Sequence, residues 1–553
     1  MTYYLAITIG PIEDTLKQAR KTRELWAASY IFSALMRELL ASLSGSGKLL
    51  SPIVENPEKN GAGIFPDRCY LKMDGETPAA TIKTKIREAF GKLGQEIPGL
   101  PADLSRFFRV YVAQIAETEL TDSSPIRALN HILDGLELQS LVPVGDMQVV
   151  PILERNIQGV YASAGKNKTF IDFDVNDRQQ RLPSLLEIAT SELNPEPKNK
   201  KSRYYELLTG PTNEAVLKYQ EEQRKGEKRA AKHEADAQES ALLKLKSVLG
   251  KTVKFRHKYV CFVLADGDMV GKTIGELGKN ETAIQDFSKE LAAFAAKAVK
   301  VIESYGAIPI YAGGDDLLFV APVQNAAGKH IFGLLNDLDG IFPGTALETI
   351  GRKANPEFNI PTPTLSFGMS VSYYKYPMFE SLDAMFELLF GHTKTFPGKN
   401  AVAFRVLKHS GQAFGATIGK GGTAFSEFMA VLTACLGQEV AFLTSVMHKL
   451  AELKPFLEDA LQYDTTEWFF KHHFNEQEHA RSSAEKYIAA VRKFCNAAWN
   501  EEKERKDKEK SEAQEQDRPA EEVEKIKPDI ATVTNQVYAA LRFVQFLNQE
   551  DHD

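Results

Sequence analysis

The chain has 553 residues, 43% of them hydrophobic, and a formal net charge of −7. That length asks for several domains and that composition builds ordinary cores, which excludes a disordered or fibrous chain. The mildly acidic balance excludes non-specific nucleic-acid binding as a global character, so any RNA contact uses local basic patches or partner subunits. No run of 18 or more apolar residues is present, so no membrane span is expected. The N-terminus reads as a strand and not as a basic segment before an apolar run, so no signal peptide is expected and the cytosol is the expected compartment. Cys69, Cys261, Cys435 and Cys495 form no Cys-x-x-Cys pair, so neither zinc nor a disulfide framework is indicated. Cys261 sits in an apolar strand and Cys435 in an apolar helical run, where core packing is the expected role.

In chain order, residues 2–10 read as a strand. Pro11 opens a long helix to about residue 43, with Leu16, Leu25, Trp26, Phe32 and Leu39 on its packed side and Lys17, Arg20, Lys21 and Arg23 on the other. Residues 51–55 and 63–73 read as strands. The turn between them, Asn56 to Gly61, carries no paired aspartates. An amphipathic helix is expected over 78–92 and a strand or mixed segment over 104–116, while 124–160 mixes helix and strand signals. Phe170 to Asp174 reads as a short strand, and Arg181 to Ala189 starts a helix. The stretch 194–251 is dense in charge: a basic loop at Lys198 to Lys201, then a helix with a wide polar face from Glu221 to Ser247. A solvated helix is its default reading, with RNA contact by Arg224, Lys225, Lys228 and Arg229 as the competing one.

The chemistry concentrates downstream. Tyr259 to Ala265 is a buried-strand run ending in Asp266-Gly267-Asp268. Ile284, Phe287, Leu291, Phe294, Ala298 and Val301 then mark one apolar helix face. Two apolar half-strands follow, Ile308 to Ala312 and Leu317 to Val320, flanking Gly313-Gly314-Asp315-Asp316. Such a pattern is a β-hairpin with two carboxylates at its tip. The glycines leave room for a phosphate chain to approach the backbone. Strand, helix and hairpin in this order bring Asp266 beside Asp315 and Asp316 on neighbouring strands. Three hard carboxylates there suit Mg2+ or Mn2+, with nucleotide phosphates completing the shell. Asp266 and Asp315 are read as metal ligands, with the Gly267 carbonyl as an extra one. Asp316 shares the metal or orients Asp315.

A helix is expected from His330 to Phe342, a half-buried strand from Thr364 to Tyr373, a helix from Phe379 to Thr395 and a closing strand from Lys399 to Val406. Gly419 to Thr423 lacks the strand and spacing of a P-loop and reads as an interdomain turn. From about 424 the chain reads as a helical bundle. Residues 499–526 are nearly all charged or polar and read as a mobile loop, and a last helix is expected from Asp529 to Gln549. Nothing else supports a metal reading of His472-His473.

The stretch around Gly313-Gly314-Asp315-Asp316, with Ile9 to Ile12 and Ala19 to Trp26 near the N-terminus, resembles the large, palm-containing subunit of type III-B (Cmr) CRISPR effector complexes. That palm is similar to those of nucleotide cyclases. The resemblance is strongest at residues 1–35 and 258–410. It implies an α+β fold: two ferredoxin-like, cyclase-type palms, helical domains and a C-terminal helical bundle. The expected boundaries are 1–180 for a first palm without metal site, 181–255 for a helical linker domain, 256–412 for the catalytic palm and 413–553 for the bundle. It implies nucleotide contacts by Ser29 and Ser288 and a lysine on the triphosphate, here Lys394 in preference to Lys399. It implies conversion of ATP into cyclic oligoadenylate when target RNA binds, or joining of AMP to S-adenosylmethionine, with pyrophosphate released. The implied partners are the other effector subunits, guide RNA and target RNA, with a small helical subunit on the C-terminal bundle. Relatives usually carry a zinc-binding cysteine cluster near the middle, which this sequence lacks. No nuclease domain of the HD type is expected, since the only His-Asp pair is His552-Asp553. A silent scaffold and a free-standing diguanylate-type cyclase are the competing classes.

Overall fold

The computed structural model describes residues 1–54, 62–97, 100, 107–120, 124–138, 149–157, 160, 182–193, 254–408, 410–435, 438–474, 482–516 and 518–549. The expected turn at 56–61, the strand at 170–174, the charge-dense stretch up to 251 and the His552-Asp553 pair lie outside them. The fold is α+β, and the chain forms two compact units. One comprises Met1–Tyr205, Val260–Leu365 and Tyr374–Asp383; the other comprises Glu206–Tyr259, Ser366–Tyr373 and Ala384–Asp553.

The first unit begins with β1 (Tyr3–Gly10), α1 (Ile12–Leu16), α2 (Thr22–Leu43), β2 (Lys48–Ser51), β3 (Arg68–Met73), α3 (Ala79–Glu96), β4 (Arg109–Ala116), α4 (Pro125–Glu137), α5 (Val149–Arg155) and α6 (Leu185–Ala189). Its four strands form an antiparallel sheet in the order β2-β3-β1-β4. Two expectations need correcting here. The first helix is not continuous: α1 and α2 are separate, because Lys21 adopts an extended backbone and the Glu24 carboxylate accepts the Arg20 N–H at 2.8 Å, starting a new helix. The strand expected at 51–55 lies at 48–51, and Pro52, with no N–H for a ladder, stops it. The mixed stretch at 124–160 resolves into helices, with α4 capped by Ser124 on the Arg127 N–H.

The unit continues with β5 (Tyr259–Asp268), α7 (Val270–Gly275), α8 (Glu281–Tyr305), β6 (Ile308–Gly313), β7 (Asp316–Pro322), α9 (Ile331–Ile341) and α10 (Gly344–Ala354). β7 pairs antiparallel with both β5 and β6. Asn280 caps α8 through its side chain, and Gly306 ends that helix in the left-handed conformation. The α8 side chains Ile284, Phe287 and Leu291 pack in one core with Tyr4, Ala6 and Leu50 of the N-terminal sheet and with Leu129 and Leu133 of α4. Each such side chain contributes roughly 2 kcal/mol when fully buried. The N-terminal sheet is therefore built onto the helix that feeds the hairpin.

The second unit contains most of β8 (Thr364–Tyr373), then β9 (Ala401–Leu407) and β10 (Ala413–Gly419), with β8 parallel to β9 and β9 antiparallel to β10. β10 carries no strand signal strong enough to read, being Ala- and Gly-rich. Between β8 and β9 the helix α11 (Met378–Phe386), which belongs to the first unit up to Asp383, widens into a π turn at Glu387–Thr393. The helices α12 (Ala424–Ala434), α13 (Val440–Glu452), α14 (Lys454–Gln462), α15 (Thr466–His473), α16 (Ser482–Glu515), α17 (Ala520–Lys525) and α18 (Ile530–Asn548) complete it. Phe404, Phe428, Phe494 and Phe543 form its aromatic core.

The mobile loop expected at 499–526 is corrected by α16, which runs through it to Glu515. Its charges are placed, not merely solvated. Glu502 pairs with Arg505 and accepts the Asp529 N–H, and Glu501 accepts the Ala424 N–H. Lys506–Glu509 and Lys508–Glu512 pairs at helical spacing support the rest.

Candidate active site on the β6–β7 hairpin

The antiparallel register Ala265↔Leu317 makes Asp266 and Asp316 the next facing pair of β5 and β7. Residues directly opposite in such a ladder point to the same face. Their carboxyl groups accordingly meet in a hydrogen bond. Gly313 pairs with Asp316, leaving Gly314-Asp315 as a two-residue turn. Gly314 has a φ of +68°, the left-handed conformation that glycine adopts without strain, as tight hairpin turns require. Asp315 is brought back against the end of β5. A Cβ at Gly267 would lie 2.5 Å from the Asp315 Oδ2 and 2.5 Å from the Val270 Cγ2. Gly267 is thus the residue that admits the third carboxylate.

The electrostatics follow. Burial, then the Asp266 and Asp315 charges, push the Asp316 carboxyl well above the ordinary range. A shared proton lets such a pair approach, and a divalent cation is the other group that does. Among the described residues no three His, Cys, Asp or Glu side chains converge tightly enough to hold a metal on their own. Mg2+ does not ask for that: one or two carboxylates, waters and substrate phosphates complete its shell. The donor set, all hard oxygens with carboxylates in contact, fits Mg2+ or Mn2+ on those terms.

Other expected residues fall in different settings. Ser29 on α2 is buried. Ser288 on α8 is also buried, and its hydroxyl accepts the Ile53 N–H at 2.8 Å and lies 3.2 Å from the Ser51 Oγ, anchoring the segment after β2. Lys394 follows the π turn in the second unit, its N–H bonded to the Leu389 carbonyl. Lys399, also in that unit, has a φ of +53°. All four cysteines are buried, and burial pushes the Cys69 and Cys495 thiols up to about 12.

Three residues near the carboxylates had no role assigned from sequence. Asp268 is 1% exposed and accepts the Thr364 hydroxyl at 2.9 Å, closing the end of β5. Its i, i+2 spacing from Asp266 put both on one strand face, a signal that was readable. Tyr311 lies against the hairpin tip, and the Asp67 charge acts on it and on Asp316. Burial and then the charges of Asp316, Asp67 and Asp315 hold the Tyr311 phenol well above its usual range. Asp67 comes from the first domain, so only the tertiary fold brings it here.

Two family models match the chain. "CRISPR-associated protein Cmr2, N-terminal" matches residues 4–97, and "Cas10/Cmr2, second palm domain" matches residues 259–403. The chain is 28% identical over 186 residues to the CRISPR system Cmr subunit Cmr2 of Pyrococcus furiosus, covering 29% of this chain and 20% of that protein. The match thus spans about a fifth of that relative's length. Among solved structures, a chain of the type III-B Cmr-beta complex in the apo state aligns over 76% of this chain and 70% of its own, at 12% identity and a TM-score of 0.48. A chain of a Csm1-Csm4 cassette in complex with cA4 aligns over 72% and 54%, at 12% identity and a TM-score of 0.39. The second of the two domain models covers the carboxylate strand, the long helix and the hairpin together, so the two stretches of the chain on which the site is built are similar to the N-terminal and second palm domains of Cas10/Cmr2 proteins.

Proposed function

We propose that the chain is a nucleotidyltransferase, switched on by target RNA inside a type III CRISPR complex, that converts ATP to a second messenger with release of pyrophosphate. The observation that carries this reading is the contact between the Asp266 and Asp316 carboxyls at the end of paired strands, with Asp315 packed on Gly267. Asp266, Asp315, Asp316 and the Gly267 carbonyl would hold Mg2+ or Mn2+. When bound, such a cation neutralises phosphate charge and lowers the pKa of an attacking hydroxyl. Gly314 presents bare backbone to the phosphates, with nothing within 4 Å of where a Cβ would stand, while the Gly313 face is covered by Tyr311. Lys394 is the triphosphate lysine in this reading, and Ser29 and Ser288 are the base contacts. Catalysis is then positioning and charge neutralisation, with no histidine or cysteine involved. The product is cyclic oligoadenylate or an S-adenosylmethionine–AMP conjugate; the metal chemistry is the same and only the acceptor differs.

The partners proposed are the other effector subunits, guide RNA and target RNA. The C-terminal bundle is the proposed seat of a small helical subunit. Exposed Phe456, Tyr463 and Trp468 on and between α14 and α15 support that assignment.

The test is turnover by the assembled complex with α-labelled ATP, Mg2+ or Mn2+ and target RNA, with and without S-adenosylmethionine. Product that needs target RNA, and falls at least about 10³-fold in Asp315→Asn with Asp316→Asn, is the expected result. The product's mass identifies the acceptor. No product with any acceptor, while RNA stays bound, would leave a scaffold.

A further inference from the structure

β6 is joined on its open side by a stretch of the first domain. Gly63 forms a parallel bridge with Tyr311, and the Ala312 N–H donates to the Gly63 carbonyl at 2.9 Å. The residues that follow are clamped twice more. The Phe65 N–H donates to the Ser33 hydroxyl of α2 at 2.9 Å, and the Ile9 N–H of β1 donates to the Asp67 carbonyl at 3.0 Å. Segment 62–67 therefore has three fixed points, one of them on the catalytic hairpin.

Tyr311 is the side chain between the two. A Cβ on Gly63 would stand 3.3 Å from the Tyr311 Cδ2 and 3.0 Å from the Ser33 Cβ. A Cβ on Gly313 would stand 2.2 Å from the Tyr311 hydroxyl oxygen and 2.5 Å from its Cζ. The ring thus reaches from the bare backbone of the first domain to the bare backbone of the turn, with its hydroxyl against Gly313. Two glycines, one in each domain, make the room. The hydroxyl sits beside the residue that opens the turn, two residues before Asp315.

We propose that Tyr311 is a positioning residue through which segment 62–67 of the first domain fixes the Asp315–Asp316 turn for divalent-cation binding. The proposal rests on the metal reading of that turn. It gives the first domain a part in the chemistry: it sets where the second domain's carboxylates stand. Groups that orient metal ligands from outside the coordination shell typically change affinity by about ten- to a hundredfold when removed.

The experiment is Mn2+ binding by the full chain, followed by titration calorimetry, with thermal midpoints measured alongside. Tyr311→Phe keeps the ring and removes the hydroxyl. Gly63→Ala loads the bridge from the first domain and touches no carboxylate. Both are expected to weaken Mn2+ binding about tenfold, with the thermal midpoint of Tyr311→Phe unchanged. Wild-type affinity in Tyr311→Phe overturns the proposal, and so does wild-type affinity in a folded Gly63→Ala. If Gly63→Ala does not fold, Tyr311→Phe decides alone. Asp315→Asn with Asp316→Asn separates the two levels. If that variant loses Mn2+ and Tyr311→Phe does not, only the positioning role fails. If the wild-type chain binds no Mn2+, the metal reading fails and this inference with it.

Discussion

The first unit contains the same construction twice, once with an adjacent carboxylate pair at its hairpin tip and once, among the described residues, without such a pair. In the N-terminal half a strand (β1), a long helix (α2) and two further strands (β2, β3) pair so that β3 lies between β2 and β1. In the other half β5, α8, β6 and β7 repeat that order, with β7 between β6 and β5. What differs is the tip. β5 ends in Asp266-Gly267-Asp268, whereas β1 ends in Gly10-Pro11. β7 begins with Asp316, reached by a two-residue turn; β3 begins with Arg68, with Asp67 immediately before it. Arg68 turns away from any metal role, pairing with Asp134 and Glu137 of α4. One topology supports both a carboxylate site and a support for it, so the fold by itself does not carry the activity.

The two glycines that end β1 and β5 offer the sharpest way to break this comparison. A Cβ at Gly267 meets the Asp315 carboxylate and Val270 at 2.5 Å, while a Cβ at Gly10 meets nothing within 4 Å. Gly267→Ala should move Asp315 by a few tenths of an ångström or more and cost about 10²-fold in turnover, as small misplacements of reacting groups do. Gly10→Ala should leave turnover and stability near wild type, within about 0.5 kcal/mol. Equal losses in the two variants, measured as initial rates on the assembled complex, would mean that the strand ends are equivalent after all.

Much of the second domain was legible because its signals are local. The hairpin declares itself through a glycine turn between apolar half-strands, and α8 through one apolar face. The paired carboxylates follow from register once the strands are assigned. What the sequence hid is of two kinds. Charge density made 499–526 look unstructured, although Glu501 and Glu502 each accept a backbone N–H there. Long-range contacts made the rest invisible: nothing near Gly63 says that it lies beside Tyr311, some 250 residues on in the chain. Ser288 illustrates the same limit. Its place on the helix was readable, but not that its hydroxyl is engaged by Ile53.

Acid should separate the two halves by pH window. His330 caps α9, its Nδ1 accepting the Gly333 N–H, and burial followed by Lys329 lowers its pKa from 6.5 to about 4. A base depressed in the folded state stays neutral there while the unfolded chain takes up the proton. Its stabilisation is complete above about pH 6.5 and is lost as pH falls toward 4, a change of about 3 kcal/mol. His330→Asn keeps an acceptor at the cap and should flatten that part of the pH–stability curve. A curve unchanged by the substitution would remove His330 as its cause.

The N-terminal half has its counterpart in Glu154 of α5, whose carboxyl the Arg23 and Lys21 side chains hold down at about 2. A depressed carboxylate stabilises above its unfolded pKa of 4.5 and loses that contribution only as pH falls through the range between 4.5 and 2. The three side chains are a third to a half exposed. Solvent therefore screens them, and Glu154→Gln should cost less than about 1 kcal/mol at neutral pH. Hydrogen exchange read separately on α9 and on α5 would then show α9 loosening first, between pH 6.5 and 4, with α5 following only below pH 4.5. Simultaneous loosening of both in the upper window would mean that the two halves unfold as one cooperative body, and that their shared core on α8 outweighs the local titrations.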